Sequence, residues 1–317
     1  MRLLILGGTV FLGRHAVDAA LRRGHTVTIY TRGRHGSAPE GVEHVIGDRA
    51  DLAPLQGRAW DAAIDTSGYD PAQVAASAAL DIGHYVFVSS CNAYPDWPDK
   101  PVDEDSPTWT DGEGYGPEKA AAERHVLPDG AVVRAGLIVG PHDNVFRLPW
   151  WVRRIAERGE IPAPGDPARP LQVIDARDLG EWVVKLVENG TRGIFNGVGP
   201  RTPRPFDEFL YGIKGATTSE CTFTWVDVDF LIANRERPYQ ELPIYRPSRG
   251  EWAGFARFDL TREVASGLTF RPLAVTTRDT LAYYHSRSAA EQEQLRAGLS
   301  AEREKEVLAL WHARRPG

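Results

Sequence analysis

Tyr115 and Lys119 stand four residues apart in Tyr115-Gly116-Pro117-Glu118-Lys119, ahead of the helix formers Ala120, Ala121, Ala122 and Glu123. On a helix that spacing puts both side chains on one face. A phenol beside an ammonium is a general acid/base in prospect. To act near neutral pH its pKa must fall from about 10 towards 7, roughly three units, or about 4 kcal/mol of preference for phenolate. A neighbouring cation lowers a phenol in this way. Ser90, which closes Val86-Phe87-Val88-Ser89-Ser90, adds a hydroxyl that can orient a substrate oxygen and stabilise developing charge. The Tyr-x-x-x-Lys spacing alone is common by chance, and its weight comes from what precedes it.

What precedes it is Leu3-Leu4-Ile5-Leu6-Gly7-Gly8-Thr9-Val10-Phe11-Leu12-Gly13-Arg14. A short apolar run breaks into a glycine-rich turn, and a helical pattern follows through Ala16, Val17, Ala20 and Leu21 to Gly24. Strand, glycine turn and helix together make a dinucleotide fingerprint. Glycines let the backbone approach a pyrophosphate, and the helix aims free N–H groups and its positive dipole end at it. Gly7, Thr9, Val10, Phe11, Leu12 and Gly13 are therefore the expected cofactor contacts. A bound nicotinamide, positively charged when oxidised, would join Lys119 in lowering the Tyr115 phenol.

Thr26–Tyr30 reads as a second strand and empties into Thr31-Arg32-Gly33-Arg34-His35. An NAD site usually has an acid here for the ribose 2′-hydroxyl, but none occurs between Asp18 and Glu40. Arg32 and Arg34 suit a 2′-phosphate instead, so NADP is expected over NAD. Val42 to Ile46 is a third strand, and the following Asp48 is placed near the adenine amino group. Ala62–Asp65 is a fourth, leading to Thr66-Ser67-Gly68, and Tyr85 to Val88 is a fifth. Five such runs with helix-length spacers imply an α/β fold, a Rossmann-type doubly wound parallel sheet. Ligands bind at the C-terminal strand ends of such sheets, so residues 66–68 and 89–91 should border the site, with Thr66, Ser67 and Gly68 beside the cofactor.

Bulk properties narrow the class. The 317 residues can fill one large core and a smaller lobe, and a net charge of −6 gives no general attraction to nucleic acid or anionic membranes. Cys91 and Cys221 make no disulfide framework, so a reducing cytoplasm is the default. The apolar run after Met1 is too short for a signal peptide, and no later run is long enough to span a bilayer. Metal-ligand spacings are absent, and no metal is expected.

Together these stretches resemble the extended short-chain dehydrogenase/reductases of the NAD-dependent epimerase/dehydratase group. Gly7–Gly13 is similar to that family's nucleotide motif, Val86–Ser90 to its catalytic strand, and Tyr115 with Lys119 to its active-site pair. Arg134 to Pro141 resembles the family's next strand and Gly-Pro turn, and Asp175 to Leu179 its later Asp-Leu segment. The resemblance implies a Rossmann domain over 1–140, with 171–198 returning to it, and a smaller C-terminal substrate lobe within 141–317. It also implies hydride transfer with Tyr115 as acid/base, Lys119 on the cofactor ribose and Ser90 on the substrate oxygen. Four departures matter. Val10 replaces a glycine. Leu137 and Leu171 stand where nucleotide-sugar enzymes carry an asparagine and an arginine for the diphosphate, although Arg169 is near enough to blur the second alignment. Cys91-Asn92 replaces the acidic pair of the dehydratases.

Weaker candidates remain on the substrate side. Cys91 and Asn92 follow the serine directly, with Cys91 either a base in epimerisation or a small wall residue. His142-Asp143 is either a substrate contact or a turn. Arg147, Trp150 and Trp151 offer a cation and two aromatics, the tryptophans either a ligand wall or lobe core. Gln172 and Asp175 are candidate hydroxyl ligands. Residues 200–250, rich in proline and aromatics, read as an irregular part of the lobe. Ser288 and Glu291 form a capping box, and Val307, Leu308, Leu310 and Trp311 a stripe on a final helix. That stripe packs on its own lobe or on a second copy in a homodimer.

The first expectation is an NADP-preferring oxidoreductase that interconverts a secondary alcohol and a ketone on a polar small molecule: a glycoside, polyol or specialised metabolite. The alternatives are a nucleotide-sugar epimerase using NAD and other phosphate ligands, Arg147 or Arg246, and a non-catalytic cofactor-sensing or RNA-binding protein on the same scaffold.

Overall fold

The computed structural model describes residues 1–98, 100–247, 250–293 and 297–314. Seven strands form its central sheet: β1 (Arg2–Leu6), β2 (Thr26–Thr31), β3 (Glu43–Ile46), β4 (Ala62–Asp65), β5 (Tyr85–Ser90), β6 (Ala131–Ala135) and β7 (Gly193–Gly197). Their order is β7-β6-β5-β4-β1-β2-β3, and every pair is parallel. Leu3 to Leu6 are wholly buried. That follows from their continuous apolar run, because a central parallel strand is covered on both faces. The chain starts in the middle, winds out to β3, and returns to the other side of β1 at β4. Loops leaving β1 and β4 therefore diverge, and a crevice opens at their carboxyl ends.

Helix α1 (Phe11–Arg22) follows the glycine turn and buries Ala16, Val17, Ala19 and Ala20. Helix α2 (Pro71–Ala78) starts where Asp70 accepts from the Ala72 amide at 2.8 Å and Pro71 presets the first turn. Helix α3 (Tyr115–Glu123) spans the stretch expected from its alanines. Helix α5 (Ala176–Glu188) lies against α1. Gly180 permits that contact, since a Cβ there would stand 2.9 Å from the backbone of His15.

The rest of the chain builds a second hydrophobic core. Helix α4 (Arg147–Ala156) buries Trp150 and Trp151 in it, with Phe206 and Phe209 of helix α6 (Phe206–Thr217). Both indoles are satisfied, Trp150 donating to the Leu299 carbonyl and Trp151 to that of Pro243. They are core, with no free face for a ligand. Residues 200–250 are more regular than their proline content suggests, holding α6, a strand over Thr222–Val226 and a helix over Val228–Ala233. Ser288 and Glu291 bond reciprocally at the start of the Ala289–Glu293 helix. In the helix Ala301–Ala313, Val307 and Leu308 are buried while Leu310 stays 42% exposed. Among the described residues, no helix is long and apolar enough to cross a membrane, and no cluster of His, Cys, Asp and Glu could hold a metal.

Candidate active site

A cavity of about 600 Å³ occupies the crevice at the switch between β1 and β4. Gly7, Thr9, Val10, Phe11, Leu12 and Gly13 line its floor, Arg32 and Asp48 one end, and Thr66 and Ser67 the middle. Ser90, Tyr115, Lys119 and Arg147 line the other end. Residues far apart in sequence thus meet because they all follow C-terminal strand ends.

The glycine turn fits a pyrophosphate. Gly7 and Gly8 have positive φ (105° and 107°), open to glycine at little cost. A Cβ on Gly13 would lie 2.6 Å from the Gly8 amide nitrogen, so helix and turn touch backbone to backbone. Val10, the departure from the glycine pattern, is extended (φ −126°) and 36% exposed, a backbone conformation that a Cβ adopts without strain. The N-terminus of α1 has no side-chain cap and no acid in its first turn. Its free N–H groups and dipole face the cavity without a resident anion, the donor set a dinucleotide phosphate needs. At the far end, Arg32 and Arg34 are exposed and have no carboxylate partner among the described residues.

Ser90 accepts from the Asn92 amide at 3.2 Å, which caps the short turn 91–93 and leaves its own proton free. Tyr115 lines the same end of the cavity as Ser90 and is 45% exposed. Burial of the hydroxyl end raises the phenol's pKa, while Ser90 and then Arg147 pull it down. Lys119 lines the same cavity. Its buried ammonium donates to the carbonyls of Gly68 at 2.7 Å and Val88 at 2.9 Å. Burial lowers its pKa to about 8, against the pull of Asp65 and Glu123.

Several expected contacts lie elsewhere. Gly68 is not in the wall: its carbonyl is spent on Lys119, and Val74, Asp65 and Phe87 crowd the position a Cβ would take. Cys91 is buried behind Ser90 with its thiol pushed up to about 12, so it is no base. Asn92 turns from the cavity, its carbonyl accepting from the Trp109 indole at 3.1 Å. His142 packs on Tyr283 (ring centroids 4.2 Å apart) and on His15, and burial lowers it to about 4. Gln172 is 2% exposed and braces two segments, donating to the Pro200 carbonyl and accepting from the Phe258 amide, each at 2.9 Å. Asp175 caps α5 and pairs with Arg177. Arg169 is equally committed, to the carbonyls of Arg246, Trp252 and Ala253.

Two wall residues, Tyr69 and Arg49, carried no signal of their own in the sequence. Tyr69 stands with its ring 6.3 Å from that of Tyr115, centre to centre. Arg49 enters from the loop after β3 and forms a two-pronged ion pair with buried Asp65 (2.7 and 2.9 Å). Arg147 and Arg246 approach one ring, Tyr239, with guanidinium carbons 5.3 and 3.7 Å from its centre. Neither has a carboxylate partner among the described residues, and the Arg246 Nε is buried without a hydrogen bond.

Residues 72–197 match the NAD dependent epimerase/dehydratase family. Among solved structures, the chain is similar to the Bordetella bronchiseptica enzyme WbmH in complex with NAD+, at 19% identity. The likeness covers 90% of this chain and 98% of the other, with a TM-score of 0.66. It is also similar to UDP-glucuronic acid 4-epimerase from Bacillus cereus in complex with NAD, at 13% identity over 91% and 99% of the two chains, with a TM-score of 0.67. A curated relative, the chloroplast stem-loop binding protein of 41 kDa b from Arabidopsis thaliana, is 24% identical over 62% of this chain. The match spans 58% of that relative's length. The family match covers the middle of the chain, and the fold over nine-tenths of it is shared with structures solved in complex with NAD.

Proposed function

We propose that the protein is an NAD(P)-dependent oxidoreductase that interconverts a secondary alcohol and a ketone on a polar small molecule. The observation that carries this reading is the meeting of Ser90, Tyr115 and Lys119 in one cavity with an uncapped helix N-terminus. A nicotinamide dinucleotide would be held by the Gly7–Gly13 turn and the start of α1, and when bound it supplies or accepts the hydride. Tyr115 takes the proton from the substrate hydroxyl, or returns it to the carbonyl oxygen in reverse. Ser90, its own proton free, orients that oxygen and stabilises charge on it. Arg147 favours the phenolate when Tyr115 gives up its proton. Arg32 and Arg34 support NADP as the preferred form, because two unpaired guanidiniums suit a 2′-phosphate. Tyr115→Phe should abolish turnover while leaving dinucleotide affinity within a few-fold. Retained turnover would remove the proton-transfer role.

A second reading is a nucleotide-sugar epimerase. Arg147 and Arg246, both close to the Tyr239 ring, supply the diphosphate ligands that Leu137 and Leu171 cannot. NAD retained through purification, with a UDP-sugar epimerised and no net consumption of free NADPH, would select it. The stem-loop binding of the Arabidopsis relative is a poor fit to a chain of net charge −6. Retention of stem-loop RNA on a filter at low salt would overturn that judgement.

A further inference from the structure

Lys119 sits in a place where an ammonium should be hard to keep. It is 4% exposed, over the Phe87 ring at 4.4 Å and beside the Tyr69 ring at 5.4 Å. Its hydrogen-bond partners are two neutral carbonyls. Two buried carboxylates stand beside it: Asp65 is in register with Phe87, whose ring the ammonium covers, and Glu123 follows one turn along α3. Asp65 ends β4 and is wholly enclosed. It is held by the Arg49 guanidinium, the Tyr85 hydroxyl at 2.8 Å and the Ser67 amide at 3.0 Å. Glu123 lies one turn beyond Lys119 on α3 and is 3% exposed. It accepts from Arg134 of β6 through both oxygens (2.8 to 3.2 Å) and from the Ser89 hydroxyl of β5 at 2.6 Å. The charges alternate across the base of the cleft: Arg49, Asp65, Lys119, Glu123, Arg134.

We propose that Asp65 and Glu123, each fixed by its own arginine, form a cradle that keeps Lys119 cationic in the dry base of the cleft. They are thereby positioning residues for the catalytic amine. The inference rests on reading Lys119 as part of the reaction machinery. An isolated ammonium in an apolar site sheds its proton. A carboxylate placed beside it prevents that, but an unbraced buried carboxylate would itself take up a proton or draw the lysine into a direct pair. The arginines avert both outcomes. They keep Asp65 and Glu123 ionised and occupied, so the lysine feels their charge while its ammonium stays on the Gly68 and Val88 carbonyls at the cavity wall. The charged and titratable groups around Lys119 are Asp65, Arg49, Glu123, Arg134, Tyr115 and Tyr69, drawn from β4, the loops after β3 and β4, α3 and β6. Helix α2 packs on α3 and gives the Gln73 carbonyl and the uncharged Ser77 hydroxyl to Arg49.

The test follows the amine directly. In protein labelled with 15N-lysine, the Lys119 resonance is identified by its loss in Lys119→Arg and titrated by NMR. Asp65→Asn removes one flanking charge. The double variant Glu123→Gln with Arg134→Met removes the other pair whole, leaving no lone buried cation to unfold the protein. Ser89→Ala deletes a hydrogen bond to Glu123 and leaves every charge in place. The cradle predicts that the first two lower the Lys119 titration by about one pH unit or more, while Ser89→Ala does not move it. The alkaline limb of the pH–rate profile should fall by the same interval. An unmoved titration in the folded variants, or an equal shift in Ser89→Ala, would overturn the proposal. If Asp65→Asn does not fold, the double variant decides. The NMR measurement needs no turnover, so a wild-type protein without dehydrogenase activity would count against the proposed function and leave the cradle to be judged separately.

Discussion

The contact between Gly13 and the glycine turn can be tested with a single methyl group. In Gly13→Ala the new Cβ would meet the Gly8 amide nitrogen at 2.6 Å, the Thr66 Oγ1 at 3.0 Å and the Gly8 Cα at 3.1 Å. Two of the three neighbours are backbone and cannot swing aside. Gly8 cannot retreat either, because its far side is packed on the side chains of Ile29 and Val17. The start of α1 must therefore lift by roughly 0.8 Å to regain ordinary contact. A hydrogen bond of about 2.9 Å stretched by that much is no longer one. One amide-to-phosphate bond lost at about 1.5–3 kcal/mol is a drop of roughly 10- to 150-fold in dinucleotide affinity. Titration of NADH and NADPH fluorescence measures it. Gly215→Ala in α6 is the control, since a Cβ there meets nothing within 4 Å and the helix should gain up to about 1 kcal/mol. If Gly13→Ala bound both dinucleotides within two-fold of wild type, the placement of the phosphates on this turn would be refuted.

Arg32→Ala should weaken NADPH far more than NADH, by about tenfold or more for one lost charge-assisted contact. Equal losses for the two would reverse the cofactor preference. Glu263 is wholly buried, accepts from the Asn196 amide and lies against Glu104, and burial pushes its pKa up to about 9. The folded chain therefore binds a proton that the unfolded chain releases near 4.5. That contribution to stability is whole below the unfolded value and is lost as pH rises through about 9. Glu263→Gln, which keeps the shape and cannot ionise, should flatten the decline. Urea melts at pH 6 and pH 10 that fall in parallel for the two proteins would exclude Glu263 as its source.

Much of the molecule is written in local pattern. The apolar run Leu3–Leu6, the glycines behind it and the spacing of Ala16, Val17 and Ala20 specify a strand, a tight turn and an amphipathic helix, because periodicity reports which faces are buried. Parallel strands joined by helices then allow few topologies, and each puts the strand ends on one side. Ser90, Tyr115 and the Gly7–Gly13 turn could accordingly be brought to one cleft from the sequence. Which distant group meets a given side chain was decided by the tertiary structure. Nothing near Gln172 announces Pro200 and Phe258, nothing near Arg49 announces Asp65, and nothing near Arg147 or Arg246 announces that both approach Tyr239. The same holds for Lys119: its spacing from Tyr115 sets the helix face, but two carbonyls and two braced carboxylates set where its charge lies. Periodicity encodes the degree of burial of a side chain, whereas its partner depends on how separate elements dock, and that is settled by packing of the whole core.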